Sequence, residues 1–132
     1  MPSKVLIADD EHHIRHMVAA KLRSSGFEVT EARDGAEALD LSREIRPDIV
    51  VSDFQMPQMS GLEFCTALTA EQPGVRIIML TARGHVLSPE QMRGANIRRM
   101  MSKPFSASKL VECVRELLSS GESAGANLPE AA

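Results

Sequence analysis

A doubly wound α/β domain, with a five-stranded parallel sheet in the order 2-1-3-4-5, is the fold that this chain of 132 residues predicts. Strand and helix signals alternate five times along the chain, as in repeated βαβ units. Val5 to Ala8, Ile49 to Val51 and Val75 to Leu80 are continuous apolar runs, which marks strands covered on both faces. Four strand candidates also end in polar groups suited to phosphate or metal. Asp9-Asp10 follows Val5-Leu6-Ile7-Ala8, Asp53 follows Ile49-Val50-Val51-Ser52, Thr81 follows Ile77-Ile78-Met79-Leu80, and Lys103 follows Met100-Met101-Ser102. In a parallel sheet these ends meet along one edge, and the switch point lies beside the first and third strands.

The first helix, predicted over Glu11 to Ser25, places Ile14, Met17, Val18 and Leu22 on one face, and Gly26 suits its exit. A short alternating strand around Phe27 and Val29 suits a sheet edge. Asp34 with Glu37, Ser60 with Glu63, and Ser88-Pro89 with Gln91 read as the starts of the second, third and fourth helices, each with a capping side chain three residues before an acid or amide. Arg93-Gly94-Ala95-Asn96-Ile97-Arg98-Arg99 predicts a short or irregular fourth helix. The last helix, Ser106 to Ser119, shows Leu110, Cys113, Val114 and Leu117 on one face. Residues 1–120 therefore form one domain. Gly121 suits the exit of the last helix, and residues 121–132, small, polar and free of basic residues, read as a disordered tail.

At 43% hydrophobic and 25% charged residues the composition is that of a soluble globular protein, and a net charge of −3 offers no general attraction to nucleic acid or to anionic membranes. The densest basic group, Arg93 with Arg98-Arg99, has no interleaved aromatics, so no nucleic-acid partner is expected. No apolar stretch reaches the length of a membrane span and no signal-peptide core precedes the first strand, so a cytoplasmic protein without a membrane partner is expected. Cys65 and Cys113 fall on helices covering opposite faces of the sheet and read as small buried hydrophobes, not as a disulfide.

Three carboxylates at one sheet edge repel one another unless a cation sits among them. Oxygen donors from Asp9, Asp10 and Asp53 suit Mg²⁺, with Mn²⁺ as the alternative, and the site has no cysteine or histidine pair for Zn²⁺. Lys103 adds a fixed positive charge and Thr81 a hydroxyl. Metal, lysine and hydroxyl together can stabilise the charge spread over a transferring phosphoryl group, with Asp53 as the nucleophile. Asp53 leads the loop Phe54-Gln55-Met56-Pro57-Gln58-Met59-Ser60-Gly61, which can expose it before the next helix begins.

Over residues 4 to 118 the chain resembles the receiver domains of two-component response regulators, in particular the single-domain chemotaxis type with its flavodoxin-like fold. The resemblance rests on Asp9-Asp10, on Asp53 with Met56-Pro57 and Gly61, on Thr81-Ala82, and on Lys103-Pro104-Phe105, in that order and each at a strand end. It implies that Asp53 accepts a phosphoryl group from a histidine kinase or histidine phosphotransfer protein. It further implies that Asp10 binds Mg²⁺ directly, that Asp9 does so largely through water, and that the Gln55 backbone carbonyl completes the protein ligands. Thr81, with Ala82 beside it, and Lys103 would bind the phosphoryl oxygens. The domain would be a stand-alone signalling phosphoacceptor that promotes its own phosphoryl transfer and dephosphorylation, not an enzyme. Movement of Thr81 would switch binding of a downstream target protein. A monomer is implied, with pairing of the phosphorylated form through the face between the fourth and fifth helices.

Three positions give the resemblance its individual character. Met100 stands where the family commonly has an aromatic residue, so a two-rotamer ring switch cannot operate there. Gln55 and Arg83 occupy the variable positions that tune dephosphorylation by controlling access of water. Met92, Met100 and Met101 read equally as an adaptable docking surface or as core filling. His12 and His16, one helical turn apart, read as solvated residues, since the third ligand and catalytic acid of a zinc motif are absent. The alternative to a phosphorylated switch is a pseudo-receiver that binds a protein constitutively. A phosphatase of the haloacid dehalogenase type would need an acid at Gln55, and a flavin site would need a phosphate-binding loop after the first strand.

Overall fold

The computed structural model describes residues 2–82 and 86–119. Arg83, Gly121 and the expected tail over 121–132 lie outside the described residues. The elements run β1 (Lys4–Ala8), α1 (His12–Ser24), β2 (Glu28–Ala32), α2 (Gly35–Ile45), β3 (Ile49–Asp53), α3 (Gly61–Glu71), β4 (Arg76–Thr81), α4 (Pro89–Gly94), β5 (Ile97–Ser102) and α5 (Ala107–Ser119). The five strands are parallel in the order β2-β1-β3-β4-β5, as expected, and β2 takes the edge that its alternating sequence suggested. Among the described residues no helix is long and apolar enough to cross a membrane.

Alternation along each strand divides the apolar side chains between two cores. Leu6, Val50, Ile77 and Met79 pack with Phe64, Cys65 and Leu68 of α3 and with Ala38 of α2. Val5, Ile7, Val51, Ile78 and Leu80 pack with Val18 and Leu22 of α1 and with Leu110, Val114 and Leu117 of α5. Each fully buried aliphatic side chain contributes about 1.5–3 kcal/mol, so the two layers hold the sheet firmly between them. Cys65 belongs to the first core and Cys113 to the second, and both thiols are free. Cys65 is buried as expected, whereas Cys113 is only partly so.

The helix starts follow their capping residues. Ser60 and Ser88 each close a reciprocal capping box, with Glu63 and Gln91 respectively. The Asp34 side chain accepts the Glu37 N–H at 2.8 Å, while the Glu37 carboxylate reaches one residue further back to the Arg33 N–H. Gly26 follows α1 at φ +98°, a conformation that favours glycine. α4 is a six-residue helix, and Asn96 at φ 53° turns the chain directly into β5.

β5 departs most from its sequence pattern. It begins at Ile97, well before the Met100-Met101 run, because Ile77 pairs with Ile97 and Ile78 with Arg99, leaving Arg98 as an extra residue in a bulge. Arg98 is 1% exposed, so Arg93, Arg98 and Arg99 do not form one basic surface patch. The three methionines also separate. Met92 and Met100 pack on the α2–α3 core while Met101 packs on the α1–α5 core, since successive strand residues face opposite sides.

Candidate functional site

Each strand end is tied to its neighbour by one more backbone bond, which fixes where the polar residues emerge. The Asp9 N–H donates to the Ala32 carbonyl at 3.1 Å, the Phe54 N–H to Leu80 at 2.8 Å and the Lys103 N–H to Thr81 at 2.8 Å. The loop after β3 folds back on itself at Gly61, whose N–H donates to the Phe54 carbonyl at 2.7 Å. A Cβ at Gly61 would stand 2.0 Å from the Asp53 carbonyl oxygen, so only glycine permits this approach.

Asp9, Asp53 and Lys103 come together from the ends of β1, β3 and β5. The Lys103 ammonium lies 3.3 Å from Asp9 Oδ2 and 3.3 Å from Asp53 Oδ1. Asp9 is fully buried, Asp53 is 6% exposed, and Asp10 is exposed beside them. Carboxylate oxygens of Asp9, Asp10 and Asp53 lie within 4.8 Å of one another, close enough to hold one metal ion. Both Asp9 oxygens already accept protein donors: Oδ1 takes the Glu11 N–H at 2.8 Å and Oδ2 takes Lys103. Of the three aspartates, Asp10 and Asp53 line a cleft of about 280 Å³, together with Glu11, Gln55, Ala82 and Lys103.

Burial, reinforced by the Asp9 charge, raises the Asp53 carboxyl to about 6 despite Lys103. Burial likewise raises Asp9, against the opposing Glu11 N–H and Lys103. Burial by itself would lower the Lys103 ammonium, but its hydrogen bond to Glu11 and the charges of Asp9 and Asp53 outweigh that and raise it. Lys103 is therefore a permanent cation. Asp9 and Asp53, crowded and with raised proton affinity, belong to a donor set that a hard divalent cation relieves, and oxygen-only ligation fits Mg²⁺.

Thr81 ends β4 at 1% exposure, and Ala82 instead of Thr81 forms the cleft wall. Met100, paired with Met79, is partly buried on the α2–α3 core. The acids after β1 do not serve as the α1 cap, because Glu11 is the N-cap residue and makes no side-chain cap bond. Glu11 is also the functional neighbour that sequence reasoning missed. Its Oε1 lies 2.7 Å from Lys103 Nζ, and its only sequence signal was an acid following Asp9-Asp10. His12 and His16 stack at 5.3 Å on α1, yet among the described residues Asp9, Asp10 and Asp53 are the one group of three or more side chains placed to share a metal. The Cys65 thiol is pushed up to about 12 by burial, which makes it no nucleophile.

The family model for the response regulator receiver domain matches residues 5–115. The chain belongs to this family. The receiver domain is 38% identical over 117 residues to a probable transcriptional regulatory protein, TcrX, of Mycobacterium tuberculosis, covering 89% of this chain and 50% of that protein. It is 34% identical to the DNA-binding response regulator MtrA of Mycolicibacterium smegmatis, over 92% of this chain and 53% of that protein. The receiver domain thus spans about half the length of these curated relatives. Among solved structures, the Vibrio cholerae chemotaxis protein CheY4 matches with a TM-score of 0.79 at 34% identity, covering 88% of this chain and 98% of that one. A putative response regulator from Chloroflexus aurantiacus matches at 0.81 with 30% identity, covering 90% and 99%. The receiver domain is a phosphoacceptor signalling module of two-component systems.

Proposed function

We propose that Asp53 accepts a phosphoryl group from the phosphohistidine of a histidine kinase or histidine phosphotransfer protein in a Mg²⁺-dependent reaction. The observation that most supports this is the Asp53 carboxylate on the cleft wall, 3.3 Å from the Lys103 ammonium and beside Asp10. An Asp53 oxygen attacks phosphorus in line with the phosphorus–nitrogen bond. The oxygen–phosphorus bond forms as that bond breaks, and the departing imidazole keeps its electron pair and takes up a proton from water.

Asp10 would hold Mg²⁺ directly, Asp9 largely through water, and the Gln55 backbone carbonyl would complete the protein ligands, Mn²⁺ being the alternative ion. When bound, the ion neutralises charge on the phosphoryl oxygens. Lys103 pairs with one of those oxygens. The Thr81 hydroxyl, beside Ala82, turns toward another, and Gln55 and Arg83 govern the approach of the water that later hydrolyses the acyl phosphate.

The output is switched protein–protein binding by a cytoplasmic domain, a two-state equilibrium biased by the new anion. Incubation with a small phosphodonor and Mg²⁺ followed by intact-mass analysis tests the chemistry. A labile phosphoryl adduct is expected on the wild type and none on Asp53→Asn, and equal behaviour of the two refutes the assignment. For the output, a target is expected to bind better to the beryllofluoride adduct. Equal binding would favour a constitutive binding module.

A further inference from the structure

Lys103 has three N–H donors and three carboxylates around it. The closest partner is not one of the aspartates. Glu11 Oε1 stands at 2.7 Å, against 3.3 Å for Asp9 Oδ2 and 3.3 Å for Asp53 Oδ1. The side chains of Asp9 and Asp53 are 1% and 8% exposed, whereas that of Glu11 is 56% exposed. Breaking either aspartate contact strands a buried charge, while water replaces the Glu11 contact at little cost. The Glu11 backbone is pinned at both of its polar atoms, its N–H by Asp9 Oδ1 at 2.8 Å and its carbonyl by the Arg15 N–H at 3.0 Å. Its carboxylate therefore reaches Lys103 from a fixed origin.

We propose that Glu11 is a latch on Lys103, a positioning residue that sets how readily the lysine is surrendered to a phosphoryl group on Asp53. The inference rests on the phosphorylation of Asp53 proposed above. A phosphoryl group adds three strong acceptor oxygens and close to two negative charges at Asp53. Lys103 then turns to those oxygens, and Glu11, the one partner that water can solvate, lets go. Loss of the phosphoryl group returns the lysine to Glu11.

Glu11→Gln removes the charge, whereas Glu11→Asp keeps the charge and shortens the reach by one methylene. In metal-free protein, NMR detection of the Lys103 ammonium is expected to show its protons exchanging with water about two- to fivefold faster in both variants than in wild type. With a small acyl phosphate and Mg²⁺, both variants are expected to be phosphorylated about two- to fivefold faster, and Glu11→Gln is expected to have no effect in a Lys103→Gln background. Unchanged ammonium exchange overturns the latch. So does a Glu11→Asp protein that behaves as wild type while Glu11→Gln does not, because a general charge effect then suffices. If wild-type protein takes up no phosphoryl group, the Asp53 reading falls, and the ammonium exchange alone decides whether Glu11 holds the lysine.

Discussion

The two halves of the sheet edge that carries the polar residues are built to different standards. At the ends of β1 and β3, Asp9 and Asp53 are buried between two cores, tied by backbone bonds to neighbouring strands, and closed over by a glycine that admits no side chain. At the ends of β4 and β5, α4 has six residues and none of them is buried, Val86 is 82% exposed, and β5 carries a bulge at Arg98. The first half is over-determined, as a site that must hold charged groups at fixed distances requires. In the second half α4, none of whose residues is buried, is the element with the least burial to hold it in place.

The strongest test of that contrast is Gly61→Ala. The added methyl meets the Asp53 carbonyl, so denaturant unfolding is expected to show a loss of about 3 kcal/mol or more. A loss below about 1 kcal/mol would show that the β3 loop yields as easily as the α4 side.

Asp53→Asn is expected to act in the opposite direction and by less. The folded-state carboxyl sits near 6, above its ordinary value of 3.8, so ionised Asp53 opposes folding. That penalty is absent below about pH 4, grows as pH rises, and is complete above about pH 6. In chelator at pH 7.5 the variant should therefore be more stable than wild type by about 1–2 kcal/mol, after allowance for screening in an open cleft, and the gain should vanish near pH 4. Thermal melts across that range check it, and a pH-independent difference would contradict the electrostatic origin.

Met100→Ala is the smallest perturbation. With its side chain only partly buried on the α2–α3 core, the expected cost is about 1 kcal/mol, with no change in the rate of Asp53 phosphorylation. A slowed phosphorylation rate would show that the two halves are coupled through β5 and not independently built.

Much of the fold was legible from residues alone, and so was the meeting of Asp9, Asp10, Asp53 and Lys103 at one sheet edge. β1, β3 and β4 read as buried parallel strands because both of their faces are covered, which writes a continuous apolar run into the sequence. The capping residues of α2, α3 and α4 read correctly because a cap is a contact over three residues. β5 was harder, since an edge strand with Arg98 in a bulge has no such run. Glu11 was invisible because its partner Lys103 lies 92 residues away, and an acid beside two other acids carries no mark of which cation it meets.

By itself the sequence determined the doubly wound parallel sheet and the convergence of Asp9, Asp10, Asp53, Thr81 and Lys103 at its edge. Apolar periodicity dictates the strands, and parallel crossovers bring every strand's carboxyl end to the same side. Only the tertiary structure decided which charges meet at bonding distance, that Arg98 is buried, that Met100 and Met101 face different cores, and that Ala82 instead of Thr81 walls the cleft. Such pairings depend on register, bulges and burial, which are set by contacts between segments far apart in the chain and not by any local pattern.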